Sequence, residues 1–284
     1  MINKENLKKV LNFLEFTHRK EIYTYKNKIL GYTIVVDFAG KGKITYPDGV
    51  IVNDETTSNL TKNENFVVLE CVYRLLKLGY KPECIELEPK WEAPHDIGGG
   101  GKADVLVKDN AGESFLLIEC KTWGKEFDNY WKKTEQDGDQ LFFYAVQKRS
   151  TKYLCMYASN WDNDELVRKS NIISLKDNTA TLESFDEPIS FEKANDKSSL
   201  FAAWNITYGK YSFKNGIFED TCIPYLIEEK GRDISNITEI GHDDIQKKYH
   251  EFTTILSQHN VSGRENAFDK LVNLFLAKIV DEIR

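Results

Sequence analysis

Three residues in one short stretch of the chain, Asp104, Glu119 and Lys121, are of the types that support metal-assisted hydrolysis. Residues 103–107 and 115–120 are short apolar segments that predict two β-strands, and the Asp-Asn-Ala-Gly sequence between them predicts a hairpin turn. Glu119 and Lys121, two apart on a strand, face the same way, and the hairpin places Asp104 beside them. Two carboxylates and a backbone carbonyl form a hard oxygen set that suits Mg²⁺. A neighbouring ammonium can orient a water or stabilise charge that develops on a phosphate.

A helix before the hairpin carries two further acids. Residues 64–78 predict this helix, and Gly79 is a usual signal for its end. Glu64 lies at the helix start, where a carboxylate also complements the helix dipole, and Glu70 lies two turns in, where a solvent-facing position is the ordinary alternative. The spacing alone leaves both acids open as candidates.

A second predicted helix, residues 138–148, carries Gln140 and Tyr144 one helical turn apart. Gln offers a donor and an acceptor and Tyr offers a ring with a hydroxyl, although both types are also common on helix surfaces and in cores. Four glycines at 98–101 predict a flexible loop, and their spacing does not fit a nucleotide-binding P-loop. Lys102, which follows this loop, is a candidate contact for an anionic substrate.

The order of these features, an acid-bearing helix, Asp, Glu-x-Lys and then Gln-x-x-x-Tyr, resembles the nuclease domain of type I and type IIG-like restriction enzymes of the PD-(D/E)xK superfamily. The resemblance covers roughly residues 60–160 and departs in one respect, since Ala103 rather than a proline precedes Asp104. It implies an α/β fold of the restriction-endonuclease type, in which a mixed sheet is flanked by helices. It also implies hydrolysis of double-stranded DNA that depends on Mg²⁺ or Mn²⁺.

The resemblance assigns roles to individual residues. The implied catalytic residues are Asp104, Glu119, Lys121 and Glu64. The implied metal ligands are Asp104, Glu119, the backbone carbonyl of Cys120, and Glu64 directly or through a water. Lys121 is expected to position or deprotonate the attacking water, and Gln140 and Tyr144 are expected to hold the substrate strand. Glu64 is favoured over Glu70 because the family places its acid early on the helix.

Composition excludes several classes of protein. The chain has 284 residues with a formal net charge of −7, so it is not expected to coat DNA along its whole surface. Its five cysteines are scattered and have no C-x-x-C spacing, which argues against a disulfide or zinc framework. There is no apolar run long enough to span a bilayer and no secretory leader, so we expect a cytoplasmic protein without a membrane partner.

The pattern of apolar residues predicts three regions along the chain: residues 1–185 as the nuclease domain with its N-terminal helix and strands, 186–240 as a connecting segment, and 241–284 as the start of a helical region. Strands other than the hairpin are predicted at 31–37, 43–46, 50–52, 85–91 and 152–159. Residues 126–134 are polar and predict a mobile segment. Residues 172–175 and 179–182 predict a small extra hairpin.

The C-terminal region carries a second resemblance. Residues 243–258 and 266–283 predict amphipathic helices, and the second runs to Arg284 without a stop signal. Residues 262–282 resemble the helical leader that precedes the catalytic domain of adenine-N6 DNA methyltransferases in fused restriction–modification enzymes. This implies methyltransferase and target-recognition domains beyond Arg284, with S-adenosylmethionine as a cofactor of that part alone.

Other interpretations remain open at this point. The carboxylates and lysine could form an ion pair on a surface hairpin, or the chain could be a non-catalytic DNA-binding or interaction module on a nuclease scaffold. A nuclease of DNA repair or transposition is a further alternative. Basic residues downstream of the hairpin form either a phosphate-contacting rim or a solvated surface, because acids are interleaved with them. These basic residues are Lys125, Lys132, Lys133, Lys148 and Arg149.

Overall fold

A computed structural model describes residues 1–28, 30–90, 102–214, 249, 254, 272–274 and 276. The chain divides into two units, Met1–Ile227 and Glu228–Arg284. The described residues of the second unit are all helical, which agrees with the helices predicted there. The predicted glycine loop and the remainder of the predicted C-terminal helices lie outside the described residues.

The first unit combines helices with two β-sheets. Its α-helices are α1 (Leu7–Phe13), α2 (Asn63–Leu78), α3 (Lys125–Asp137), α4 (Asp139–Gln147), α5 (Thr179–Leu182) and α6 (Lys197–Ala202). Short 3-10 and π-helical segments cover Pro82–Cys84 and Ala203–Thr207. The strands are β1 (Thr17–Arg19), β2 (Ile22–Lys26), β3 (Thr33–Asp37), β4 (Lys43–Thr45), β5 (Ile51–Val52), β6 (Ile85–Leu87), β7 (Val105–Lys108), β8 (Ser114–Cys120), β9 (Tyr153–Asp162), β10 (Glu165–Ser174) and β11 (Phe213–Lys214).

The two sheets differ in topology. The smaller is an antiparallel meander in the order β1-β2-β3-β4. The larger is mixed, in the order β11-β10-β9-β8-β7-β6-β5, and its two parallel pairs are β8 with β9 and β6 with β5. Helices α3 and α4 lie in the crossover from β8 to the parallel strand β9, as a parallel connection requires. The predicted α/β class, with a mixed sheet flanked by helices, is confirmed.

The larger sheet separates two hydrophobic cores, because successive side chains of a strand point to opposite faces. Leu116 and Ile118 of β8 lie in a core shared with α1, α2 and the smaller sheet. Leu117, between them, lies in the other core with residues of α3, α4 and α6. The strand that carries Glu119 is therefore covered by helices on both faces. Charged groups near the end of this strand lie close to the hydrophobic cores, away from water.

Several local predictions are confirmed. The hairpin forms at β7–β8, and Asp109 Oδ1 accepts hydrogen bonds from the backbone N–H groups of Ala111 and Glu113 in the turn. Helix α2 ends at Gly79, whose φ of +104° is left-handed and suits a residue without a Cβ. Among the described residues, no helix combines the length and apolarity that a membrane crossing needs.

Two local predictions were wrong. The polar segment 126–134, predicted to be mobile, is instead most of helix α3: Phe127 lies in the core beneath the sheet, and Thr134 is buried on the same side of the helix. The extra hairpin does not form either. Residues 172–174 are the last residues of the ten-residue strand β10, and Leu175 follows it. Thr179–Leu182 is a helical turn in which the side chain of Asn178 accepts a hydrogen bond from Thr181 N. The sequence pattern also missed β1 and β2.

Candidate active site

The β7–β8 hairpin places Asp104 opposite Glu119. Val105 pairs with Ile118 across the hairpin, and one further step of this antiparallel register brings Asp104 level with Glu119. Asp104 Oδ2 accepts a hydrogen bond of 2.7 Å from the backbone N–H of Cys120. The carboxylate of Asp104 is therefore held against the end of the strand that carries the other two candidates, as the sequence predicted.

The ammonium of Lys121 lies between two carboxylates. Its Nζ is 2.7 Å from Glu119 Oε1 and 2.9 Å from Glu64 Oε1. The side chains of Lys121 and Glu119 are only 7% and 6% exposed, whereas that of Glu64 is 28% exposed. The Tyr130 ring of α3 completes the surroundings of the ammonium, with its centroid 4.6 Å from Nζ. This is a buried charge cluster and not an ion pair on a surface hairpin.

Glu64 reaches Lys121 because it lies in the first turn of α2. The next residue, Asn65, is buried, and its side-chain amide donates to the backbone carbonyls of Thr56 and Asn59 in the preceding loop. These hydrogen bonds tie the loop to the start of the helix. They fix where the helix begins, and so where the Glu64 carboxylate lies.

Burial and mutual repulsion shift two acids of this cluster, Asp104 and Glu119, toward their protonated forms. Burial, reinforced by the charge of Glu119, raises the pKa of Asp104 well above its usual range. Burial raises the pKa of Glu119 to about 7, although the nearby Lys121 ammonium opposes the shift. For Lys121, burial lowers the pKa, but the charges of Glu119, Asp104 and Glu64 outweigh it and the pKa is raised. Lys121 therefore stays charged, while Asp104 and Glu119 hold their protons more tightly.

The donor set fits a hard divalent cation. Glu119 Oε2 is buried and has no hydrogen-bond partner, although its sister oxygen is bonded to Lys121. A buried acceptor without a partner is costly, and a cation would satisfy it. No group of three or more His, Cys, Asp or Glu side chains in the described parts of the chain is arranged to hold a metal. Two carboxylates and the Cys120 carbonyl still suit Mg²⁺, which usually keeps several of its waters.

Helix α4 brings the predicted Gln-x-x-x-Tyr pair to the same region. The Tyr144 hydroxyl donates a 2.8 Å hydrogen bond to the backbone carbonyl of Lys102, two residues before Asp104. Tyr144 is buried, and burial together with the charges of Glu119 and Asp104 raises its pKa. One turn earlier, Gln140 Oε1 is buried without a hydrogen-bond partner. A contact of either residue with substrate stays a prediction.

Lys102 is engaged by the chain itself. Its ammonium is paired with the carboxylate of Asp54, which lies in the polar loop before α2. The side chain of Lys102 is 39% exposed and that of Asp54 is 35% exposed. An exposed pair of this kind contributes little to stability and opens easily, so a phosphate contact for Lys102 also stays a prediction.

Glu70 belongs to a separate buried network. Its Oε1 accepts a 2.7 Å hydrogen bond from Arg168 Nε, and its Oε2 accepts a 2.6 Å hydrogen bond from the Tyr157 hydroxyl. The side chain is 1% exposed, so the solvent-facing position considered from the sequence is wrong. The structure thus brings Glu64, and not Glu70, to Lys121.

Sequence reasoning missed three residues around the cluster. Glu88 lies beside Asp104, since its N–H donates to the Asp104 carbonyl at 3.0 Å, and its buried Oε2 has no partner. Asp139 at the start of α4 is close enough that its charge raises the pKa of Glu119. Tyr130 contacts the Lys121 ammonium. Their positions in the sequence could not indicate that they lie near the cluster, because all three are outside the hairpin.

Comparison with known proteins does not extend this description. No protein-family model matches the chain, and no curated protein is significantly similar to it. Inferences about its activity therefore depend on the geometry and chemistry of the cluster around Lys121.

Proposed function

We propose that this chain is a Mg²⁺-dependent deoxyribonuclease that hydrolyses phosphodiester bonds of DNA. The observation that carries the proposal is the buried ammonium of Lys121, held by Glu119 and Glu64 beside a Glu119 oxygen that has no partner. Charges inside a protein are costly unless they are paired or bind something. A purely structural ion pair has no need of a second, unsatisfied carboxylate oxygen or of a further acid, Asp104, across the hairpin.

The carboxylates and the lysine of the cluster suit different roles in the proposed reaction. Asp104, Glu119 and the Cys120 carbonyl would hold the cation, with Glu64 at its edge. A bound Mg²⁺ lowers the pKa of a water ligand and neutralises charge on phosphate oxygens. Lys121 is better suited to positioning a water or a phosphate oxygen than to removing a proton, because its raised pKa keeps it protonated.

The cluster can accept an anionic substrate only when the negative charge of its own carboxylates is neutralised. The acids repel one another, and a phosphodiester would add a further negative charge. The ammonium of Lys121 offsets part of this charge. The remainder calls for a cation, which explains why the proposed activity depends on a metal.

The biological setting is part of the same proposal. The resemblance of residues 60–160 to restriction nucleases, and of residues 262–282 to a methyltransferase leader, supports a cleavage domain of a restriction–modification enzyme. In that setting the partner is double-stranded DNA, and S-adenosylmethionine and target recognition would be supplied by other domains.

The test is a cleavage assay on supercoiled and linear DNA with Mg²⁺, Mn²⁺, Ca²⁺ or a chelator. Asp104→Asn and Glu119→Gln should abolish cleavage. Glu113→Gln is the matched control, because Glu113 is an exposed acid in the turn of the same hairpin. Absence of cleavage with every metal, together with absence of Mn²⁺ binding by calorimetry in the presence of DNA, would contradict the proposal. Metal-independent DNA binding in that case would favour the non-catalytic module.

A further inference from the structure

Helix α3 presents a polar face that the proposed hydrolytic site does not use. Side chains of this face line an open cleft of about 600 Å³. They are Glu126, Asn129, Tyr130, Lys132, Lys133 and Gln136. Lys125 lies on the same side, four residues before Asn129 and seven before Lys132. The opposite side of the helix packs into the core through Phe127 and Thr134.

Three of the four acids of α3 have partners, and two of these partners lie on other elements. Asp128 pairs with Lys169 of β10 at 2.8 Å, and Asp137 lies 3.8 Å from the ammonium of Lys197. Glu126 accepts hydrogen bonds from the backbone and the hydroxyl of Thr122. Three of the acids interleaved with the lysines, Glu126, Asp128 and Asp137, therefore have partners of their own.

In the part of the chain that the structure describes, the positive charges of three lysines on this side of α3 are not neutralised by a nearby carboxylate. Within the described residues, Lys125, Lys132 and Lys133 make no ion pair, and all three are exposed. The Lys133 ammonium lies 5.1 Å from the centroid of the Tyr130 ring. The face is thus locally cationic although the whole chain has a formal net charge of −7.

Tyr130 joins this face to the buried cluster. The centroid of its ring lies 4.6 Å from the Lys121 ammonium and 5.1 Å from that of Lys133, and Tyr130 also lines the cleft. A polyanion bound along α3 would therefore end beside the proposed site. A solvated helix face without a partner would not need this connection to the buried cluster through Tyr130.

We propose that the α3 face, defined as Lys125, Asn129, Tyr130, Lys132, Lys133 and Gln136, binds the sugar–phosphate backbone of duplex DNA next to the bond that is cut. The inference rests on the proposed function and names its substrate-binding surface. Seven residues of helix span about 10 Å, which matches about three phosphate steps of one strand. Lysines and side-chain amides are the usual backbone contacts, and they carry no sequence information. Binding at this face is therefore expected to be independent of sequence.

The experiment measures binding of a short fluorescent duplex to the full chain by anisotropy, in a chelator and over a range of salt. The test variant carries Lys125→Gln, Lys132→Gln and Lys133→Gln. The control carries Lys26→Gln, Lys28→Gln and Lys41→Gln, which are exposed lysines of the smaller sheet and its loops. The test variant should lose at least about tenfold in affinity at low salt, and its salt slope should fall by about two to three, since each phosphate contact contributes about 0.9. The control should match the unmodified chain.

The outcomes separate this inference from the proposed function. Equal affinity and equal slope for the two triple variants would overturn the α3 surface, even if the chain cleaves DNA. Loss of binding in the test variant alone would support the surface, even if the chain proves inactive. Failure of the unmodified chain to bind duplex at low salt, or a stronger affinity for polyglutamate than for duplex, would also overturn it. Unchanged melting temperatures check that all variants are folded.

Discussion

The Lys121 ammonium lies 2.9 Å from Glu64 Oε1, although 57 residues separate the two along the chain. The contact joins the first turn of α2 to the residue that follows β8, so a helix and a strand meet at one charge. Lys121 is bonded on its other side to Glu119, its neighbour but one. The lysine is therefore held by one local and one distant carboxylate, and each partner can be removed separately.

Lys121→Ala should abolish cleavage while the fold is retained. The side chain donates to the cluster that would meet the phosphate, and removal of one such donor typically costs about a hundredfold or more in rate. The loss would be measured in the DNA cleavage assay, with folding checked by circular dichroism. Lys108→Ala is the control, because Lys108 is paired with Glu86 at 2.5 Å in the same hairpin but away from the cluster. An undiminished rate for Lys121→Ala would show that its assigned role is wrong.

The two acids of α2 should separate activity from stability. Glu64→Ala should impair cleavage more than Glu70→Ala, because only Glu64 contacts Lys121. Glu70→Ala should instead lower the free energy of unfolding by about 3–5 kcal/mol, since it removes a buried carboxylate that accepts hydrogen bonds from Arg168 and Tyr157. Urea denaturation and initial cleavage rates measure the two effects. The opposite order of cleavage rates would move the site two turns along the helix.

The local part of this arrangement could be predicted from the residues themselves, whereas the distant acid Glu64 is favoured over Glu70 only through the family resemblance. The hairpin follows from two apolar segments and an Asp-Asn-Ala-Gly turn, so Asp104, Glu119 and Lys121 could be placed together. The burial of Glu70 could not be predicted in this way, because its partner Arg168 lies 98 residues away along the chain. A local pattern cannot show which distant strand will neutralise a buried charge.

Errors in the secondary structure have a similar origin. Residues 126–134 are too polar for a typical buried helix, and α3 is stabilised by Phe127 in the core and by Tyr130 and Trp131, which pack against the same core. The cationic character of its outer face could not be predicted either. It depends on Lys169 and Lys197, which draw Asp128 and Asp137 away from it.

Tyr144→Phe should weaken the support of Asp104 without removing a charge. The variant loses the hydroxyl that donates to the Lys102 carbonyl, which should cost about 1 kcal/mol in unfolding free energy. If Tyr144 also holds substrate, the Michaelis constant for DNA should rise. If it acts only on the chain, the turnover number should fall with an unchanged Michaelis constant. Tyr153→Phe serves as the control, because Tyr153 lies at the start of β9.

Stability of the metal-free protein should fall as pH rises. The pKa of Glu119 is raised to about 7, so between its unfolded value of about 4.5 and about 7 the native state binds the extra proton. The favourable contribution is complete below about 4.5 and is lost as pH rises through about 7, and the raised pKa of Asp104 acts in the same direction. In a chelator, Glu119→Gln should flatten this dependence by roughly 3 kcal/mol, whereas Glu113→Gln should keep it. A steep, unmodified dependence in Glu119→Gln would refute the assignment.

Residues 1–284 alone should be a poor and unspecific nuclease. The formal net charge of −7 opposes approach of DNA, and the cationic face of α3 offers backbone contacts without base readout. We therefore expect dissociation constants of about 1–100 µM at physiological salt, with no preference among duplexes of varied sequence. Competition binding with a pool of sequences, followed by sequencing of the bound fraction, measures the preference. Tight and sequence-specific binding by this chain would place recognition within it, with residues 186–235 as the first region to test, and would remove the need for a separate recognition domain.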